Sequence, residues 1–362
     1  MTSIEWITVE AVVQQCQIEN QTRSLSDRMI QGPRRRALMA AGALVVAGVV
    51  LFVVALFAGG ERNLWPLLLQ GTAAGDPVSW LILTEIRLPR ALLAVMVGAV
   101  LGLSGAALQG FLRNPLADPG LVGVSSMAAL GAVIVFYFGL AGAALWILPL
   151  GGMGGALLAI LMLYALAGRD ASVLTLILAG LVMSTLAAAL TSLALNFAPS
   201  PYAALEIIFW ILGSLADRSF THVWLALPFM VAGAALLFTT ARGLDALSLG
   251  EDAAISLGVN VTRLRLAVIL GTALGVGAAV SVSGVVGFVG LMVPHLLRPF
   301  AGHRPGLLLP LSALGGSVLV LVADILVRTT AGAQELKLGV VTALVGGPFF
   351  VVLLMNTRRA MR

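Results

Sequence analysis

Ala37-Leu38-Met39-Ala40-Ala41-Gly42-Ala43-Leu44-Val45-Val46-Ala47-Gly48-Val49-Val50-Leu51-Phe52-Val53-Val54-Ala55-Leu56-Phe57-Ala58 carries no charge and directly follows Arg34-Arg35-Arg36. About 20 apolar residues in a helix span a bilayer core of about 30 Å. The run is too long for the roughly 7–15-residue core of a cleavable signal. It reads as a first transmembrane helix behind a basic N-terminal tail, residues 1–36.

The rest of the chain repeats this pattern. Hydrophobic residues fill 60% of 362 positions and charged residues 10%, against about 45–50% and about 25% in soluble domains. Mean hydropathy is +1.05. Too few polar side chains are present to cover a water-facing surface, so lipid is the solvent. The apolar runs are continuous for about 16–25 residues, which favours helices over the short alternating segments of a β-barrel. The 41 glycines suit helices that approach closely in lipid.

Apolar runs and their punctuation predict an all-α, polytopic protein of about ten spans. These run over 37–58, 90–112, 120–138, 143–167, 173–197, 222–241, 264–282, 285–300, 307–328 and 338–356, so that residues 37–362 form one membrane domain. Turn chemistry marks the breaks, as in Arg113-Asn114-Pro115 and Gly302-His303-Arg304-Pro305-Gly306. Residues 59–86, with Trp65 and Trp80, read as a loop with headgroup anchors.

The formal net charge of +5 comes from basic residues clustered at helix ends. That marks topology rather than nucleic-acid binding. An even number of spans puts both termini on one side. With that side cytoplasmic, only Arg62, Arg87, Arg90, Arg218, Arg328 and Lys337 of the 21 Lys/Arg fall on the other.

Several chemistries are missing. The single cysteine, Cys16, excludes an internal disulfide and a multi-cysteine metal site. The one lysine, Lys337, follows Leu336, so no Walker A loop exists and any ATPase must be another polypeptide. His222, His295 and His303 are scattered and form no HExxH motif. Asp324 is the only deep membrane carboxylate, and Arg328 stands one helical turn beyond it.

Between the sixth and seventh spans, about 243–263, lies a segment that is not a span. There Ser248 precedes Glu251 by three residues, a capping-box pattern, and Gly258 would stop the short helix it opens.

Longer motifs remain: Arg87-Leu88-Pro89-Arg90; Arg113-Asn114-Pro115-Leu116-Ala117-Asp118-Pro119-Gly120; Trp210-Ile211-Leu212-Gly213-Ser214; Ser248-Leu249-Gly250-Glu251; Gly287-Phe288-Val289-Gly290-Leu291-Met292-Val293-Pro294-His295; and Gly339 through Phe350. In this order, over residues 37–356, they resemble the permeases of type II ABC importers, which take up iron-siderophores, haem and vitamin B12.

The resemblance implies a homodimer in the bacterial inner membrane, both termini cytoplasmic. Its partners would be two cytoplasmic ATPase subunits, which bind the ATP and Mg, and a periplasmic binding protein. This chain itself would be no enzyme and would hold no cofactor or metal. Leu249, Gly250, Glu251, Ala254, Leu257 and Gly258 match the helix that couples to the ATPase. Arg87, Arg90 and Arg328 match arginines that dock the binding protein. The chain departs from the family at Gln334-Glu335-Leu336-Lys337-Leu338-Gly339, where Glu-Leu-Pro is more usual, and at Val173-Leu174, where the B12 importer has a Thr-Ser gate.

The resulting expectation is a translocation path between two copies, lined by the second, fifth, eighth and tenth spans. Its cargo is a metal chelate, haem first, with cobalamin and ferric siderophores close behind. The rival is a secondary transporter driven by an ion gradient, which needs membrane carboxylates or ion sites at broken helices, with Asp324 the only deep candidate.

Overall fold

The computed structural model describes residue 32 and residues 34–58, 77–168, 173–330 and 336–360. All regular elements among the described residues are helical. In chain order they are α1 (Arg34–Phe57), α2 (Pro77–Phe111), α3 (Val124–Tyr137), α4 (Ile147–Ala167), α5 (Val173–Asn196), α6 (Pro201–Ile211) and α7 (Phe220–Thr239). There follow α8 (Ala241–Leu247), α9 (Glu251–Ser256), α10 (Val261–Ser283), α11 (Val289–Leu297), α12 (Pro305–Thr330) and α13 (Leu338–Ala360).

Among the described residues, seven helices (α1, α2, α4, α5, α7, α10 and α12) are long and apolar enough to cross a membrane. The other three expected spans are helices too: α3 has 14 residues, α11 has nine, and α13 has 23. The N-terminal tail falls outside the described residues, except position 32 and the arginines 34–36 that already open α1.

Two expectations are corrected. Residues 77–86 are not loop but the first turns of α2, which pass through a π-helical stretch, Ile82–Arg87, before continuing regularly. The 11-residue α6 had no counterpart among the expected spans. Ser200 starts it, its hydroxyl accepting from Ala203 N at 3.2 Å, with Pro201 at the first helical position.

α2 is the interior helix. It packs most extensively on α12 and also meets α7, α10 and α11. Glycines make this possible. A Cβ on Gly98 would run into the backbone of Gly316 on α12, and one on Gly105 into Gly290 on α11. Without a hydrophobic drive between helices in lipid, such close backbone contact is a main source of association.

Broken backbone inside a bilayer must find partners within the protein. α10 ends at Gly284, with φ +69°, and α11 begins after Phe288, which holds a left-handed φ of +66°. Gln109 on α2 secures this break: its Nε2 donates to the carbonyls of Gly290 and Leu291, and Arg298 Nη2 donates to its Oε1 at 2.6 Å. On the other side Ser214 N donates to Ser283 O, while Leu338 N and Gly339 N donate to Gly213 O and Leu212 O. The ends of α6 and α10 and the start of α13 are thereby tied together.

Candidate functional site

One end of the bundle carries the α8–α9 segment. α7 runs through Thr240 into α8, and Gly250, with φ +113°, turns the chain into α9. α9 closes at Gly258, with φ +82°. There Val259 N donates to Ala254 O and Gly258 N to Ile255 O. This is the Schellman arrangement, which places a left-handed residue, here glycine, just past a helix. Asn260 then caps α10, its Oδ1 accepting from Arg263 N at 2.9 Å.

The expected capping box is absent. Gly250, not Ser248, precedes α9, and the Ser248 hydroxyl donates back to Asp245 O at the end of α8. Ser248 keeps helical φ and ψ there, which an N-cap residue does not.

The segment nevertheless brings Leu249, Gly250, Glu251, Ala254, Leu257 and Gly258 into one compact turn. Ala254 faces inward, fully buried, while Leu249 is 70% and Leu257 65% exposed, and Glu251 and Asp252 are exposed beside them. Ile255, 57% exposed, belongs to the same apolar tip, and the sequence motif did not single it out. Behind the tip, Leu244 is fully buried and lies near Gly110 of α2. Asp245 accepts a 2.7 Å hydrogen bond from Gly306 N, in the first turn of α12.

At the other end of the bundle α2 and α12 bring Arg90 and Arg328 to one carboxylate, with Arg87 three positions before Arg90 on α2. Arg90 Nε lies 2.8 Å from Asp324 Oδ1, and Arg328 Nε lies 3.1 Å from Oδ2. Arg328 Nη1 also donates to Ala55 O and Arg87 Nη1 to Leu56 O, both on α1. Arg87, Arg90 and Asp324 are all buried. The pairing of Arg328 with Asp324 was legible from their spacing; Arg90 as second partner was not. The guanidinium groups thus hold this chain's own carboxylate and carbonyls rather than extending freely from helix ends.

The expected path lining is only half offered. α2 and α11 bury most of their surface within the protomer. The glycines of α2 face α11 and α12, the close helix approach that the glycine content suggested. α5 and α13 do present apolar side chains, among them Leu178, Leu181, Leu186 and Leu344. A cleft of about 310 Å³ opens between α3 and α5, lined by Ile134, Tyr137, Leu190 and Phe197 among others.

The histidines take separate structural places. His222 closes a capping box with Ser219, His295 stands edge-on to Phe349 with ring centroids 5.8 Å apart, and His303 is exposed. Among the described residues, no group of three His, Cys, Asp or Glu is placed to hold a metal. In the turn after α2, burial pushes the Asp118 carboxyl above its ordinary range, opposed by the hydrogen bond from Gly120 N.

A glycine-packed helical bundle with a short exposed elbow at one end and broken spans within it is the architecture of an ABC importer permease. A metal-chelate type ABC transporter, solved in an inward-facing conformation, matches it with a TM-score of 0.78 and 31% identity, over 87% of this chain and 98% of that one. The profile of the FecCD transport family matches residues 37–356, and the chain belongs to that family. The hemin transport system permease protein HmuU of Yersinia pestis is 38% identical over 87% of this chain and 96% of its own. The cobalamin import system permease protein BtuC of Halobacterium salinarum is 41% identical over 81% and 79%. The ABC transporter permease protein YvrB of Bacillus subtilis, itself uncharacterized, is 40% identical over 79% and 82%.

Proposed function

We propose that this chain is the permease subunit of an ATP-driven importer that moves a metal chelate into the cytoplasm. Two copies form the path, two separate ATPase subunits dock on the α8–α9 side, and a periplasmic binding protein delivers cargo at the Arg87–Arg90–Arg328 end. Haem is the first choice of cargo, followed by cobalamin and ferric siderophores. The excess of Lys and Arg on the α8–α9 side and the tail supports cytoplasmic termini in the inner membrane.

The observation that carries the reading is the apolar tip of α8–α9. Leu249, Ile255 and Leu257 project from a rigid turn closed by two positive-φ glycines, on a chain that has no Walker A loop of its own. Such a tip is suited to burial in a cleft of a partner. The rival secondary-transporter reading loses its candidate ion site, because Asp324 is held by two arginines.

The deciding experiment is co-purification with the ATPase and binding protein from the native host, reconstitution in vesicles, and assay of ATP hydrolysis. The chain alone should hydrolyse no ATP. Binding protein loaded with haem should stimulate the complex more than protein loaded with cyanocobalamin or a ferric hydroxamate. ATP hydrolysis by the isolated chain would end the reading, and stimulation by another chelate would replace haem.

A further inference from the structure

α12 touches both ends of the proposed machine. Its first turn meets the elbow: Gly306 N donates to Asp245 Oδ1 at 2.7 Å. A Cβ on Gly306 would fall 2.7 Å from Asp245 Oδ2, so the carboxylate sits directly against a residue that has no side chain. Pro305 and Leu244 both approach Gly110 of α2 beside this contact. Eighteen positions along α12, Asp324 holds Arg90 and Arg328. At 1.5 Å per residue the two contacts are separated by about 27 Å of continuous helix.

The first contact is stronger than an ordinary hydrogen bond. The early N–H groups of a helix lack intrahelical partners and sit at the positive end of its dipole. A carboxylate there makes a charge-assisted bond. Asp245 therefore supplies from α8 what residues next to the helix usually supply, and α8 cannot shift without dragging α12 or losing that bond. α12 carries Pro310 one turn beyond Gly306, and past it packs along α2 through Gly98 and Gly316.

We infer that Asp245 is a positioning residue that keys the ATPase-facing elbow to α12, and that α12 carries displacement between the elbow and the Arg90–Asp324–Arg328 cluster. The inference rests on the proposed function, in which the elbow is the ATPase contact and the arginine cluster the docking end. Asp245 itself need touch neither partner. Its role is to make a signal at one end reach the other.

The test uses the complete complex in vesicles and reads the ratio of ATP hydrolysis with haem-loaded binding protein to that without it. Asp245→Ala should assemble with the ATPase and keep basal hydrolysis, while this ratio falls roughly fivefold or more, the usual scale of coupling between sites. Asp245→Asn, whose Oδ1 still accepts from Gly306 N, should keep most of the ratio. Gly306→Ala, which displaces the carboxylate without removing it, should match Asp245→Ala and carries the test if that variant does not assemble. A wild-type ratio in either alanine variant overturns the inference, as does an Asp245→Asn protein no better coupled than Asp245→Ala. Leu249→Asp separates the two levels. If it leaves both ATPase association and the link between hydrolysis and uptake intact, the elbow is not the ATPase contact and the proposed function falls. If it abolishes association while Asp245→Ala stays fully coupled, only the role of Asp245 falls.

Discussion

Arg90 and Asp324 lie 234 positions apart in the chain and meet through a 2.8 Å hydrogen bond in its interior. Together with Arg328 they form an arrangement in which one carboxylate serves two guanidinium groups. Charges removed from water are tolerated only when paired and hydrogen-bonded. Here the pairing also joins α2 to α12, and the bonds to Ala55 O and Leu56 O draw in α1.

Asp324→Asn should therefore be severe. It removes the only negative charge shared by two buried cations, a loss worth about 3–5 kcal/mol when one partner of a buried pair is deleted. The unfolding midpoint of the purified protein in detergent should fall sharply. Arg90→Gln should do less, because Arg328 still neutralises the carboxylate. An Asp324→Asn protein as heat-resistant as wild type would mean that the cluster does not hold the fold.

Glycine substitutions should sort by what faces them. Gly98→Ala thrusts a methyl group into the backbone of Gly316, where no side chain can swing aside. Gly154→Ala on α4 meets nothing within 4 Å. Size-exclusion yield of monodisperse protein should drop strongly for the first and stay near wild type for the second. Equal yields would contradict the close approach of α2 and α12.

At the elbow, Leu249→Asp and Glu251→Arg alter exposed positions and should leave the membrane fold unchanged. Both should impair association with the ATPase or break the link between hydrolysis and uptake. Pull-down of the ATPase together with chelate uptake into vesicles provides the check. Normal results for both variants would remove α8–α9 from the coupling role.

For docking, Arg87 is the cleanest probe of the three arginines, since Arg90 and Arg328 both serve Asp324. Arg87→Glu reverses a charge at that end of the bundle and should slow association with an acidic binding protein and flatten its dependence on salt, because charge steering acts on the encounter rate and is screened by ions. Stopped-flow association at low and high ionic strength measures both effects. An unchanged rate and salt slope would leave Arg87 as an internal tie to α1 alone.

Much of the fold was legible because apolar runs and their punctuation obey simple physics. The stop at Gly258 and the Asp324–Arg328 pair follow from local spacing, and both are present. What was not legible needed the third dimension. The glycine content pointed to close helix packing, but which helices face Gly98 and Gly105 of α2 is decided only by the positions of Gly316 and Gly290. Ser248 and Glu251 satisfied the spacing of a capping box, yet Gly250 reached the left-handed turn first. Arg90 carried no local hint of Asp324, and Asp245 none of Gly306, because each pair is joined only after the helices assemble.

The 234-residue separation of Arg90 and Asp324 also sets a problem of timing. Translation at roughly 5–20 residues per second delivers Asp324 roughly 10–50 seconds after Arg90. Throughout that interval a nascent α2 holds Arg90 with no carboxylate to receive it, while Arg87 already has Leu56 O on α1. The long side chain of Arg90 is what makes the wait bearable, because a guanidinium on a flexible stem can reach toward the aqueous edge of the bilayer. Newly made protein would then pass through a stage in which this guanidinium faces water and lipid headgroups. It would turn inward only when α12 arrives, so that closing the ion pair comes late in biogenesis rather than at its beginning.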